Sequence, residues 1–341
     1  MIGLFRQMQP LTSWWHLSFD SNEISKMNTM IRKNISLALI LVSFFGFSQS
    51  LKKGVDLFDQ GKLKQAKTFF TAIDDENAER NYYLGRIAFD EDEWDDAVDF
   101  FEDAIDEEES STYYTWLGNS LGVMAQNANI IRQGMLAPQI KDAYEKAVSL
   151  NPREMDAQWG LVQYYTQAPS FMGGSYEKAE ETAKAIKKID PLRGSDALAI
   201  VYNGLEKYDL AEKEYITASK LDSKRLLNLG MFYQRRSDYE KAFETFEKAI
   251  ATDSTDFGSL YQIGKTSALS GLKLDRGIVC LDDYLKEEPQ NGNPSHAGAL
   301  MRLGMIYEKK GSKSEAIASY KKSLKLEPNM EQAEDGLARL K

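Results

Sequence analysis

Three stretches of this 341-residue chain carry residue types that could do chemistry. The first is TQAPSFMGGSYEKAEE, residues 166–181, where a Pro and a Gly-Gly pair lead into a helical run. A glycine loop that cradles phosphate follows a strand and carries a Lys after its last Gly, so that backbone N–H groups and an ammonium meet one phosphate. Here Ser175 and Tyr176 stand after Gly174 instead. The residues predict a tight turn at Gly173 and Gly174, with Ser175 as N-cap of a helix that begins near Tyr176. A helix start can attract an anion, but a loop closing a lengthened helical hairpin is the simpler reading. The second stretch, FDEDEWDDAVDFFEDAIDEEES, holds thirteen carboxylates and no Lys or Arg between Asp90 and Glu109. An EF-hand needs ligands at alternate positions, a central Gly and a closing Glu. Trp94 and Asp95 occupy the place of that Gly, so a solvated acidic helix face is expected, with weak Ca²⁺ association or docking of a basic partner as the alternatives.

The third is the set of possible nucleophiles and metal ligands, and it is small. One cysteine, Cys280, excludes an internal disulfide and a Cys-rich metal site. Two histidines, His16 and His296, are too few and too far apart for a zinc site or a Ser-His-Asp arrangement. Cys280 lies in GIVCLDDYL beside core-type positions and reads as a buried apolar thiol. His296, in NGNPSHAGAL, reads as a capping or surface residue. No carboxylate pair stands out for acid–base work. No catalytic residue, metal or cofactor is expected, and the chain is read as a non-enzyme.

Composition narrows the partners. Lys and Arg number 42 against 52 Asp and Glu, a formal net charge of −10. Phosphate neutralisation needs a basic surface, so a nucleic-acid partner is not expected. Residues 30–50, MIRKNISLALILVSFFGFSQS, place Arg32 and Lys33 ahead of an apolar run from Ile35 to Phe47, then small and polar residues. That order predicts a signal peptide over 30–48, cleaved after Ser48, and an exported, periplasmic protein. The run is too short to span a bilayer, which needs roughly 20 residues, so no stable membrane span is expected after cleavage. The alternative is an inner-membrane anchor formed by residues 35–47. Residues 1–29 then read as a mis-assigned start, with Met27 or Met30 the true one, or as a short tail.

Self-comparison shows the organisation of the rest. YYLGRIAFDEDEWDDAVDFFEDAI (82–105), LNLGMFYQRRSDYEKAFETFEKAI (227–250) and MRLGMIYEKKGSKSEAIASYKKSL (301–324) share one pattern. Leu-Gly is followed twelve residues after the Gly by Ala, then by an aromatic four further on and a small residue three beyond that. Such spacing fits two amphipathic helices, with small residues where they must approach closely. First-helix anchors recur at Gly54, Gly85, Gly118, Gly160, Gly230, Gly264 and Gly304, with Ala199 in one unit. Second-helix anchors recur at Ala66, Ala97, Ala179, Ala211, Ala242 and Ala316, replaced by Ile140 and Gly277 in two units. Pro152, Pro191, Pro289 and Pro328 close units.

This pattern resembles the tetratricopeptide repeat. The resemblance covers about residues 50–330 and implies an all-α, right-handed α-α superhelical solenoid of about eight helix-turn-helix units over 49–330. Residues 331–341 are expected to form the polar capping helix that such arrays need. Two units are longer than the rest, with insertions near 122–140 and 166–175. A similar MGGS insertion is found in exported bacterial members of the family, in keeping with export.

The resemblance implies a protein-protein interaction scaffold that binds a partner peptide or helix along the groove of its first helices. Counting from each Leu-Gly anchor, the groove positions are Tyr82, Arg86 and Phe89; Tyr164; Leu227, Met231 and Gln234; Tyr261 and Lys265; and Met301, Met305 and Glu308. Phe171 and Met172, ahead of Gly173 and Gly174, are expected to add an apolar flap at one edge. The chaperone-docking version of the fold holds a terminal carboxylate with Lys and Asn on consecutive first helices. Here Asn119 is followed by Leu161 and Ile200 at the equivalent places, so that clamp is absent. Two other readings stay open: a small-ligand-binding protein using the 166–175 loop, and a self-associating structural protein. Weak self-association is suggested by charge, since residues 54–111 carry 5 Lys and Arg against 19 Asp and Glu, whereas 301–341 carry 9 against 6.

Overall fold

The computed structural model describes residue 30 and residues 51–73, 77–289 and 292–341. The segments read as signal peptide and upstream tail therefore lie outside the described residues, apart from Met30. Among the described residues no helix is long and apolar enough to cross a membrane.

All regular structure described is helical. The chain divides into two units, residues 1–108 and 109–341. In the first, α1 (residues 51–59) is followed by α2 (Leu63–Thr71), α3 (Ala78–Asp90) and α4 (Trp94–Glu107). In the second the order is α5 (Ser111–Gln126), α6 (Ile130–Leu150), α7 (Met155–Gln167), α8 (Tyr176–Ile189), α9 (Pro191–Gly204) and α10 (Tyr208–Leu221). There follow α11 (Leu226–Arg235), α12 (Tyr239–Thr252), α13 (Phe257–Ser270), α14 (Leu274–Tyr284), α15 (His296–Lys309), α16 (Lys313–Leu326) and α17 (Glu331–Arg339). Each odd-numbered helix up to α15 is the first of a hairpin whose second helix is the next in order. Short 3-10 turns at Ser170–Met172 and Ser223–Arg225 precede α8 and α11.

Close approach of the two helices explains the Gly anchors. A Cβ added at Gly85 would stand 2.7 Å from the Phe101 ring, one at Gly230 would be 2.3 Å from Phe246, and one at Gly304 would be 2.5 Å from Tyr320. In five hairpins an aromatic of the second helix thus lies against the bare backbone of the first, whereas Leu281 takes that place against Gly264. Tyr144 does this twice, with Gly118 on one side and Gly160 on the other, and its hydroxyl donates to Asn119 Oδ1 at 2.8 Å. Tyr320 is likewise held between Gly304 and Gly336 of α17. Helix α17 closes the second unit, with Ala333 and Gly336 buried and Arg339 donating twice to Glu308 at 2.9 and 3.0 Å.

The turn inside a hairpin has its own recurrent element, one residue in the left-handed region. Glycine supplies it at Gly61 and Gly311, but Asp92, Glu206, Ser237 and Lys273 do so elsewhere, where a side chain costs roughly 1–2 kcal/mol.

The residues inserted into the fifth and sixth helices lengthen them rather than forming a loop. Helix α6 runs for 21 residues with Pro138 in its interior, and Asn129 caps it by accepting from the Ile131 and Arg132 amides. Within the second unit α5 packs on α7, α7 on α9, α11 on α13, α13 on α15 and α15 on α17, whereas no second helix packs directly on another. The first helices therefore form the closer-packed side of the stack. On the other side long side chains bridge the gap: Lys187 pairs with Glu214, Lys241 with Glu212 at 3.1 Å, and Arg276 with Glu247 at 2.8 Å.

Candidate functional site

The first helices are also held to the preceding second helices by tyrosines. Tyr165, Tyr202 and Tyr233 donate to Glu145, Glu180 and Glu212 at 2.7, 3.1 and 2.8 Å. Burial is the main reason that all three phenols titrate above their usual range, with the carboxylate acceptors adding to it.

One junction in this regular stack is open. Helix α9 does not pack on α11, and the two are connected through α10 and the 3-10 turn at Ser223–Arg225. The gap is a concavity of about 570 Å³, lined by Asp156 and Trp159 of α7, Arg193, Asp196 and Ile200 of α9, Tyr215 of α10, and Arg225, Asn228, Met231 and Arg235. Its charges are partly matched. Arg193 donates to Asp156 at 2.9 Å and Arg225 to Asp196 at 2.8 Å. Burial holds the Asp196 carboxyl above its usual range despite Arg225. Trp159, Ile200 and Met231 supply apolar contact surface beside these pairs, the mixture found at the centre of protein interfaces.

The groove positions counted from the Leu-Gly anchors divide in the structure. Met231 lines the concavity, and Leu227, Lys265 and Met305 are half-buried. Tyr164, Gln234, Tyr261 and Met301 are buried instead. Tyr164 donates to the Met172 carbonyl, and Gln234 donates to Thr266 Oγ1 at 2.8 Å on the next first helix. Tyr261 packs on Tyr284 at 5.4 Å, and Met301 belongs to the core around Ala316, Tyr320 and Ala333. Glu308 is taken up by Arg339 and by the Tyr320 hydroxyl at 2.8 Å. A position rule places a side chain on the inner side but does not say whether the next repeat covers it. Trp159, Asn228 and Arg235, which the rule passed over, are the residues that the open junction brings to the surface. In the first unit Tyr82, Arg86 and Phe89 are half-buried on α3, and Arg86 donates to the Tyr82 hydroxyl at 2.8 Å.

The Gly-Gly segment is a built turn. Ser170–Met172 forms the 3-10 turn, Gly173 has φ +96°, and a Cβ at Gly174 would lie 1.7 Å from the Ala168 carbonyl oxygen. Ser175 then caps α8 by accepting from the Lys178 amide. Phe171 is 80% exposed, and Met172 reaches Gly134 of α6, so the two lengthened regions meet. Ile130, Ile131 and Met135, near the start of α6, are exposed as well.

The other chemistry-bearing residues are placed for packing. The acidic run forms α4 and its flanks with Ala97, Phe101 and Ala104 inward, and Glu91 and Glu93 receive Lys67 at 2.5 and 2.9 Å. Among the described residues no three His, Cys, Asp or Glu side chains are placed to hold a metal ion. Cys280 is fully buried, and burial pushes its thiol up to about 12. His296 opens α15, with Nε2 2.8 Å from the Glu287 carbonyl.

A stack of helical hairpins with glycine-aromatic contacts, an inner side of first helices and a terminal capping helix defines an all-α solenoid of helix-turn-helix repeats. Tetratricopeptide repeat family models match residues 51–112, 223–256 and 297–330. The chain carries tetratricopeptide repeats in these three segments. It is similar to TPR repeat-containing protein MJ1428 of Methanocaldococcus jannaschii, at 24% identity over 285 residues, covering 78% of this chain and 47% of that protein. The chain thus spans about half the length of this curated relative. Among solved structures, a tetratricopeptide repeat protein from Parabacteroides merdae aligns with TM-score 0.47 and 16% identity, over 86% of this chain and 98% of its own. MamA aligns with TM-score 0.42 and 22% identity, over 50% of this chain and 95% of its own.

Proposed function

We propose that the protein is a non-enzymatic scaffold that holds a protein partner on the first-helix side of its second unit, centred on the open junction between α9 and α11. Repeats of this family generally mediate protein–protein interaction. The observation that carries the location is the concavity itself. Elsewhere in the stack, inner-side residues are consumed by packing: Gln234 by the next first helix, and Tyr261 against Tyr284 of its own hairpin. At this junction Trp159, Ile200, Asn228 and Met231 are not consumed in that way. A peptide or helix bound there would cover apolar surface without disturbing the hairpin contacts that hold the fold together.

Exchanging Ile200 and Met231 for Gln is expected to abolish capture of a partner that the unaltered chain retains from envelope extract, with helical content unchanged by circular dichroism. Capture that survives this exchange but fails when Asp90–Glu109 is neutralised would move the site to the acidic helix.

The proposal includes export. Its support is the order of Arg32 and Lys33, the apolar run from Ile35 to Phe47, and Ser48. Sequencing the N-terminus of protein from native cells is expected to begin at Gln49 or within a few residues of it. Recovery of Met1 from the soluble cytoplasmic fraction would rule export out.

A further inference from the structure

The cations on the inner side of the second unit fall into two groups. Arg193 and Arg225 each face a carboxylate, as do Lys187, Lys241 and Arg276 on the opposite side of the stack. Arg235, Lys265 and Arg302, on α11, α13 and α15, have no carboxylate within ion-pair distance among the described residues. Glu308, on the same helix as Arg302, is held by Arg339. The Arg302 guanidinium makes only a contact from Nη1 to the Met305 sulfur at 3.3 Å, and its Nε is buried without a partner. Arg235 lines the concavity together with Tyr215. Lys265 stands between the two arginines, is half-buried, and titrates below its usual range through burial and the repulsion of Arg302 and Arg235. In a chain of net charge −10, three neighbouring cations without counter-charges form an arrangement that an anion would complete.

We propose that Arg235, Lys265 and Arg302 are the docking row for an internal acidic segment of a protein partner. The inference rests on the inner-side reading above and adds the chemistry of the ligand. Successive packed helices lie roughly 9 Å apart, so the row spans about 20 Å, more than a single terminal carboxylate could reach. An extended chain rises about 3.3 Å per residue, so Asp or Glu at every third position would bring three carboxylates into register with three cations. Met231, in the concavity, and Met305, beside Arg302, flank the row and offer thioether surface to the intervening residues.

The test uses the full chain and a fluorescent peptide of about twelve residues with Glu at every third position, acetylated and amidated so that neither end is charged. A second peptide carries Gln in place of each Glu. Fluorescence anisotropy at low salt is expected to show binding of the Glu peptide only, falling steeply as salt is added. Lys265→Gln combined with Arg302→Gln is expected to weaken it at least tenfold, and Lys265→Arg to preserve it. The same double exchange removes like-charge repulsion, so its melting temperature is expected to equal or exceed that of the unaltered chain, which separates lost binding from lost folding. Equal affinity for both peptides would overturn the acidic assignment, and if that binding is lost on exchange of Ile200 and Met231, the inner-side scaffold reading would stand without it. Undiminished binding by the double variant, or no binding of either peptide, would overturn the proposal. So would a concentration-dependent increase in mass that disappears in this variant, which would assign the row to a second copy of the chain.

Discussion

Replacing Tyr144 with Ala is expected to destabilise the second unit by about 3–5 kcal/mol, the range for removing a large buried aromatic. The ring is buried and lies between two glycine backbones, with added Cβ atoms at Gly118 and Gly160 falling 2.7 and 2.4 Å from it. Glycines have no side chains that could move into the space, so the cavity would collapse little and the cost should fall in the upper part of that range. Tyr144→Phe keeps the ring and removes only the 2.8 Å bond to Asn119, a loss of about 0.5–1.5 kcal/mol. Urea denaturation of both variants checks the pair. A change below about 1 kcal/mol for the Ala variant would show that the ring is not the element joining α5, α6 and α7. Because each hairpin of a solenoid rests mainly on its neighbours, the Ala variant is also expected to separate the unfolding transition into two.

Gly194→Ala is expected to cost about 1–3 kcal/mol through overpacking, reversing the usual sign. Alanine in place of glycine inside a helix ordinarily stabilises by roughly 0.5–1 kcal/mol. Only Asp190 separates α8 from α9, which brings the last turn of one against the first turn of the other. A Cβ at Gly194 would lie 2.1 Å from the Lys187 Cα and 2.4 Å from its backbone nitrogen, and backbone cannot rotate aside as a side chain can. Gly122, in α5, has nothing within 4 Å of the same added atom, so Gly122→Ala should raise stability by roughly 0.5–1 kcal/mol. Thermal melts that move in the same direction for both variants would refute the steric account.

Five of the hairpins could be read from the sequence because one aromatic needs one bare backbone, whereas α8 carries Ala183 and α14 carries Leu281 at the aromatic's place. The rule holds even where the length changes: Ile140 stands at the second-helix anchor, and Tyr144, four residues on, meets Gly118 across the lengthened helices. Gly173, Gly174 and Ser175 were legible for the same reason, since a positive φ, a close backbone contact and an N-cap each favour few residue types. The open junction was not legible. The 3-10 turn at Ser223–Arg225 stands between α10 and α11 at this junction, and Asp, Ser, Lys and Arg there carry no distinctive signal. The left-handed turns at Asp92, Glu206, Ser237 and Lys273 were also invisible, because none of them is glycine. The division of inner-side residues into covered and uncovered followed from helix-to-helix distances that no single-repeat pattern contains.

The missing contact between α9 and α11 has a mechanical consequence. A column of stiff hairpins flexes where neighbouring hairpins share the least surface, because resistance to bending comes from contacts on both sides of the column. At every other hairpin junction of the second unit whose first helices pack on each other, contact on that side resists closure and stretching alike. Between α9 and α11 only α10 and its turn carry the load, so this joint resists bending with contacts on one side alone. A ligand seated there would act as a splint, changing the elasticity of the whole second unit without rearranging any hairpin.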